Sequence, residues 1–168
     1  DPGRLGQNDL QNYKALRRSP LCFNWNLEAQ VNNYQICGPP PPSSGPLAIG
    51  QILGILRHQD RRSKSADSDH LYLEASRLAF ADRALYVADP KYLSHESRQW
   101  ESLLESRYLK ARSQLITEKS LGLAPAGVPA GFPGKQLGGM PLQPEAGTTH
   151  LSIFDGSGNA LALTSSIE

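Results

Sequence analysis

Two short runs near the end of the chain alternate in polarity around a cluster of turn formers, and that pattern leaves few options for the local fold. In Gly147-Thr148-Thr149-His150-Leu151-Ser152-Ile153-Phe154, Leu151 and Ile153 alternate with His150, Ser152 and Phe154. This is the period of a strand. Asp155-Gly156-Ser157-Gly158-Asn159 follows, and then Leu161 and Leu163 alternate with Ala160, Ala162 and Thr164. The two runs predict a β-hairpin with a loop longer than the tight two-residue kind. With Ser157 at the centre of the loop, Phe154 faces Ala160, Ser152 faces Ala162, His150 faces Thr164 and Thr148 faces Ser166. Opposed residues on one face have Cβ atoms roughly 4.5–5.5 Å apart. Two hydroxyls therefore meet at the open end, with Glu168 one step further along the same face. A slip of one residue would send Ser166 to the other side.

An ordinary Thr–Ser cross-strand pair accounts for the pattern alone. The upstream stretch shifts the weighting. Residues 121–147 are poor in charge and rich in Gly, Pro and Ala, and read as a mobile linker that stops at Gly147. A linker running into a Gly-Thr peptide at the first residue of a strand suggests a self-cleaving junction. Thr148 Oγ attacks the Gly147 carbonyl, the ester hydrolyses, and Thr148 is left with a free α-amine. That amine has a reference pKa of about 7.7–8.0 and can serve as general base toward its own hydroxyl.

Thr148-Thr149-His150-Leu151-Ser152, then Asp155, Gly158-Asn159-Ala160 and Thr164, resembles the start of the small subunit of a γ-glutamyltranspeptidase. Pro40-Pro41-Pro42-Ser43-Ser44-Gly45 is similar to that family's Pro-Ser-Ser-Gly element. Glu74-Ala75, Ala79-Phe80-Ala81-Asp82-Arg83 and Asp89-Pro90 resemble its Glu-Ala, Tyr-Ala-Asp-Arg and Asp-Pro motifs. The order and spacing agree over nearly the whole chain. Related cephalosporin acylases share the pattern.

The resemblance implies an α+β fold, part of the αββα sandwich of N-terminal nucleophile hydrolases: a helical layer plus the hairpin that carries the nucleophile. Residues 1–147 would be the C-terminal part of a large subunit, with a linker at about 120–147, and residues 148–168 the start of a small subunit. The chain would be a middle piece of a longer zymogen, and the rest of that precursor its partner in a heterodimer. The implied activity is an autoprocessing transferase and hydrolase of γ-glutamyl amides such as glutathione, working through a threonine acyl-enzyme. Thr148 and Ser166 would be catalytic, Ser166 replacing a threonine that hydrogen-bonds the nucleophile. Gly147, Thr148 and Thr149 would take part in autoprocessing. Glu168 stands where the family commonly has an asparagine that helps hold the donor's α-amino group. A carboxylate there pairs with an ammonium or signals another acyl group, as in a glutaryl or cephalosporin acylase. A non-catalytic fragment that keeps only the fold is the third reading. Pro46 replaces the second glycine expected after Ser43-Ser44-Gly45. The family's substrate arginine would lie before Asp1, and its oxyanion-hole glycines and neighbouring serines after Glu168. Each oxyanion donor supplies a factor of roughly 10²–10³, so the isolated chain is not expected to turn over substrate.

At 168 residues the chain is long enough for one domain with a core. A net charge of +1 gives no electrostatic case for nucleic acid or acidic lipid. No apolar run approaches the roughly 20 residues of a membrane span. Asp1 does not open a signal peptide. Cys22 and Cys37 match no zinc spacing and read as a disulfide or as two free thiols. Their compartment stays open on the residues, while the resemblance favours periplasm or exterior. His70, His95 and His150 are scattered and suggest no metal site, and no cofactor is implied.

Further along the chain, Asn8 or Asp9 should cap a short helix reaching about Leu16. Residues 20–25 should be extended, and Tyr34-Gln35-Ile36-Cys37 a short strand. The proline run reads as a structural loop, with Pro46 in the first turn of the next helix. Leu47, Ile49, Ile52, Leu53, Ile55 and Leu56 surround that helix, so it should be buried. Gly50 and Gly54 should admit a close neighbour, and His58 should lie on the surface. Residues 59–69 read as an exposed loop, with Ser68 or Asp69 as the next cap. Leu71, Ala75, Leu78, Ala79 and Asp82 mark an amphipathic helix. Asp82 and Arg83 read as a structural ion pair or cap, and Pro90 as a breaker. A third helix is predicted over residues 94–117, buried through Trp100, Leu103, Leu104, Ala111 and Leu115, its Arg and Glu residues solvated. The hairpin is apolar or small on both faces, so both should be covered.

Overall fold

Helix α2 (Gly45–Arg57) forms where proline can open a helix, with Pro46 in its first turn. Its apolar residues then bury it: Leu47, Ile52 and Ile55 are in the core, although Ile49 stays half exposed. Helix α3 (Ser68–Tyr86) packs against it. The cap of α3 is Asp67, one residue before the predicted Ser68 or Asp69, and its carboxylate accepts from the Asp69 N–H at 2.9 Å. Ala75, Leu78, Ala79 and Asp82 are fully buried along the predicted stripe. This computed structural model describes residues 5–26, 33–59, 67–94, 98–132 and 147–166.

The predicted third helix is broken. A 3-10 helix (Trp100–Leu104) is followed by extended backbone at Glu105, ψ 133°, and then by α4 (Ser106–Ser113). That extended residue resets the helical phase. Tyr108, Leu109, Arg112 and Ser113 face inward, while the predicted core positions Ala111 and Leu115 are exposed. Arg112 is therefore buried rather than solvated. The small residues on α2 let these pieces in. A Cβ at Gly50 would lie 2.8 Å from Leu104 Cδ2, and one at Gly54 would run into Leu109.

The short α1 (Gln7–Asn12) stops four residues before the predicted Leu16. Gly6 is its cap residue, and the Asp9 carboxylate accepts the Gly6 N–H at 2.8 Å. Strands β1 (Leu21–Asn26) and β2 (Asn33–Gly38) pair antiparallel beside α2, with Cys22 opposite Cys37 and a disulfide joining them. Register settles the choice that spacing left open. The proline loop is structural: Pro41 is buried, its peptide to Pro42 is cis, and its carbonyl accepts from Arg18 Nη1 at 2.8 Å. A 3-10 turn at Pro90–Tyr92 follows α3.

Residues 121–132, the first part of the expected linker, lie as a strap against α3 and α4. Glu74 Oε2 accepts the Leu121 N–H and Asp82 Oδ1 accepts the Gly127 N–H, each at 2.8 Å. Phe132 is buried against Tyr86, ring centroids 4.6 Å apart. Residues 60–66, most of the expected exposed loop, and 133–146, the rest of the expected linker, lie outside the described residues, as does His95.

Strands β3 (Thr148–Phe154) and β4 (Ala160–Ser166) form the predicted hairpin. The expectation that both faces are covered is not met within this chain. Every residue of both strands is exposed, and Leu151, Ile153, Leu161 and Leu163 are about half exposed (47–55%). Alternation places these apolar side chains on a face, but only another element can cover them, and none among the described residues does. Among the described residues no helix is long and apolar enough to cross a membrane.

Candidate active site

The loop of the hairpin sets the pairing that continues toward its open end. Asp155 Oδ1 accepts the N–H groups of Ser157 and Asn159, at 2.9 and 2.8 Å, and Oδ2 accepts from Asn159 Nδ2 at 2.8 Å. The two bonds from Asn159 outweigh desolvation and, with the weaker contributions of the Ser157 and Gly158 N–H groups, hold the Asp155 carboxyl below its ordinary range. Gly158 supplies a φ of 86°, which side chains avoid. A loop clamped this way sets one register, and the period of 2 carries it to the strand ends. Thr148 pairs with Ser166, His150 with Thr164, Ser152 with Ala162 and Phe154 with Ala160. This is the register read from the sequence.

Thr148 Oγ1 lies 3.1 Å from Ser166 Oγ, and either hydroxyl can donate. Both are exposed, on the first residue of β3 and the last of β4. Gly147 precedes them with a φ of 95°, a backbone conformation that would strain any residue with a Cβ. Thr149 pairs with Ser165 and alternates to the other face. Glu168 lies outside the described residues. Hydroxyls alone are weak nucleophiles, so this pair becomes reactive only with a base beside it.

One feature of this face was not read from the sequence. The imidazole of His150 is bonded at both nitrogens: Nδ1 is 2.7 Å from Thr164 Oγ1, and Nε2 is 2.8 Å from Ser152 Oγ. The predicted register already placed His150 opposite Thr164, and that was the available signal. Its tautomer follows from which hydroxyl donates.

The other motif residues serve the helical part. Asp82 does not pair with Arg83. Its Oδ1 is 3.1 Å from Arg112 Nη2, and its Oδ2 accepts from Gln51 Nε2 and Tyr108 OH, each at 2.7 Å. Arg83 Nε donates to Ser44 Oγ at 2.8 Å. Burial and the adjacent Asp82 carboxylate push the Tyr108 phenol far up, so it stays a donor. Burial alone would raise the Glu74 carboxyl. Bonds from the Leu121 N–H and Ser120 hydroxyl, with the charge of Arg77, outweigh that and hold it below its ordinary value. His58 lies at the surface, partly covered by its neighbours. Burial, then Lys110 and Arg57, lower its pKa. Among the described residues no three His, Cys, Asp or Glu side chains gather as a metal cage.

The model of the γ-glutamyltranspeptidase family matches residues 2–168, and the chain belongs to that family. Among curated relatives, the chain is 33% identical over 168 residues to the Acylase ACY 1 proenzyme of Pseudomonas sp. strain V22, covering 98% of this chain and 26% of the relative. It is 32% identical over 167 residues to the glutathione hydrolase proenzyme of Escherichia coli K12, covering 96% and 26%. The structure is similar to that of cephalosporin acylase from Bacillus halodurans, with a TM-score of 0.62 and 25% identity over 97% of this chain and 25% of that one. The chain thus spans about a quarter of the length of the relatives it matches.

Proposed function

We propose that this chain is the processing-junction segment of an autoprocessing γ-glutamyl transferase and hydrolase, with Thr148 as the nucleophile. The observation that carries the reading is the Thr148–Ser166 hydroxyl pair, 3.1 Å apart, directly after Gly147. In the precursor, Thr148 Oγ1 attacks the Gly147 carbonyl carbon. The C–N bond breaks, the departing nitrogen takes the proton, and water hydrolyses the ester. The new α-amine then accepts the Thr148 hydroxyl proton while the oxygen attacks a γ-glutamyl carbonyl, as in glutathione. The leaving amine takes the proton, and water or an amino acid releases the acyl group. Ser166 orients the attacking oxygen. Thr149 is assigned to autoprocessing and Glu168 to the substrate's ammonium on the family resemblance alone. The oxyanion donors come from the rest of the precursor. That remainder also supplies the strands that complete an αββα sandwich over the hairpin's exposed leucines and isoleucine. The Cys22–Cys37 disulfide is of a kind that persists in oxidising compartments, which supports a periplasmic or extracellular setting.

The second reading, an acylase of the same mechanism, is favoured by Glu168 and by the named acylase relatives. Intact-mass measurement of the full-length protein should give two pieces that part before Thr148, and Thr148→Ala should leave one. A protein that hydrolyses amides while staying whole would overturn the mechanism. Chromophore release from a γ-glutamyl anilide, compared with a glutaryl one, then separates the two readings.

A further inference from the structure

We propose that His150 is the positioning residue that holds the Thr148–Ser166 hydroxyl pair in register. This rests on the reading of Thr148 as nucleophile. The hydroxyl pair is the last rung of the β3–β4 ladder, as far from the clamped loop as the ladder reaches. Strand ends are where local opening costs least.

His150–Thr164 is the next rung inward on the same face. Its imidazole is bonded across to β4 through Nδ1 and Thr164 Oγ1, and along β3 through Nε2 and Ser152 Oγ. The first bond ties the strands together. The second fixes the ring orientation that the first requires. Either neutral tautomer is satisfied, because both partners are hydroxyls that donate or accept. Same-face neighbours along a strand are about 6.8 Å apart, at roughly 3.4 Å per residue. His150 therefore acts on the pair through register rather than by touching Thr148.

The test follows cleavage before Thr148 over time in the full-length precursor, by intact mass. His150→Phe keeps a ring and loses both hydrogen bonds, whereas His150→Asn keeps an amide atom near the place of Nδ1. Thr164→Val removes the partner hydroxyl at nearly constant shape and strand propensity. His150→Phe and Thr164→Val should each slow cleavage about tenfold or more, since a misplacement of about 1 Å can cost 10²-fold. His150→Asn should recover most of the rate, and the His150→Phe/Thr164→Val pair should be no slower than either single change. Cleavage of His150→Phe at the wild-type rate overturns the inference, as does multiplication of the two effects in the double variant. A wild-type precursor that stays whole overturns the nucleophile reading together with this one. One that is cut, alongside an unaffected His150→Phe, overturns this one alone.

Discussion

Asp82 shows how one buried carboxylate decides several neighbours at once. Both of its oxygens are used, by Gln51, Tyr108, Arg112 and the Gly127 N–H. The helical stripe predicted its burial and its structural role. Its cation was misassigned, because adjacent residues on a helix do not face each other. Arg83 points to Ser44, and the true partner comes from α4. Arg112 Nη2 also donates to the carbonyls of Leu78 and Pro125 at 3.1 and 2.7 Å. Removing one member of a buried pair strands the other charge in low dielectric. Asp82→Ala should therefore destabilise the full-length protein by about 3–5 kcal/mol in urea unfolding. Adding Arg112→Met should cost less than the sum of the two single changes. A loss below about 1 kcal/mol for Asp82→Ala, the range of an exposed pair, would show that the pair is not desolvated in solution.

At the scale of elements, the α2 glycines separate propensity from packing. Gly54→Val places branches where Leu109 already sits and should lose about 1–3 kcal/mol by overpacking. Gly45→Ala meets nothing beyond its chain neighbours within 4 Å, although Pro46 disfavours helical backbone at a preceding residue with a Cβ, so it should lose less than Gly54→Val. Thermal unfolding midpoints should move in those directions. If Gly54→Val were as harmless as Gly45→Ala, the close approach to α4 would be wrong. The same junction explains why the third helix was misread. Apolar residues over 94–117 are regularly spaced, but one extended residue at Glu105 shifts the phase, and spacing alone carries no sign of it. The hairpin was legible because its loop is built from residues that fix their own backbone, so register needed no distant partner.

Across the whole molecule, α3 and the strap form one unit latched by carboxylates. Glu74 and Asp82 project from the buried face of α3, and each takes a backbone N–H of the strap. The Glu74 carboxyl lies below its ordinary value of 4.5 in the folded chain. Its contribution is therefore complete above about 4.5 and is lost as pH falls through the lowered folded value. Hydrogen exchange at the Leu121 amide should accelerate, relative to its intrinsic rate, on acidification below that point. Glu74→Gln should give fast exchange at Leu121 already at neutral pH, with no further change on acidification. Leu121 protection that stays unchanged across that range in the wild type would dissolve the latch. Low charge and many Gly, Pro and Ala residues suggested a free linker here, because composition registers what a segment lacks. The donors that fasten the strap are its own amide groups, which every sequence has and no composition reveals.

Local order in the chain determined the hairpin, its register, the hydroxyl pair at its open end and the burial of α2 and α3. Each follows from periodicity or turn chemistry acting within a few residues. Tertiary structure alone decided that Arg112 turns inward to Asp82, that the strap is fastened, that Cys22 meets Cys37 and that no element among the described residues covers the hairpin's apolar face. Those outcomes depend on which distant groups arrive at the same place, and a one-dimensional pattern does not encode arrival.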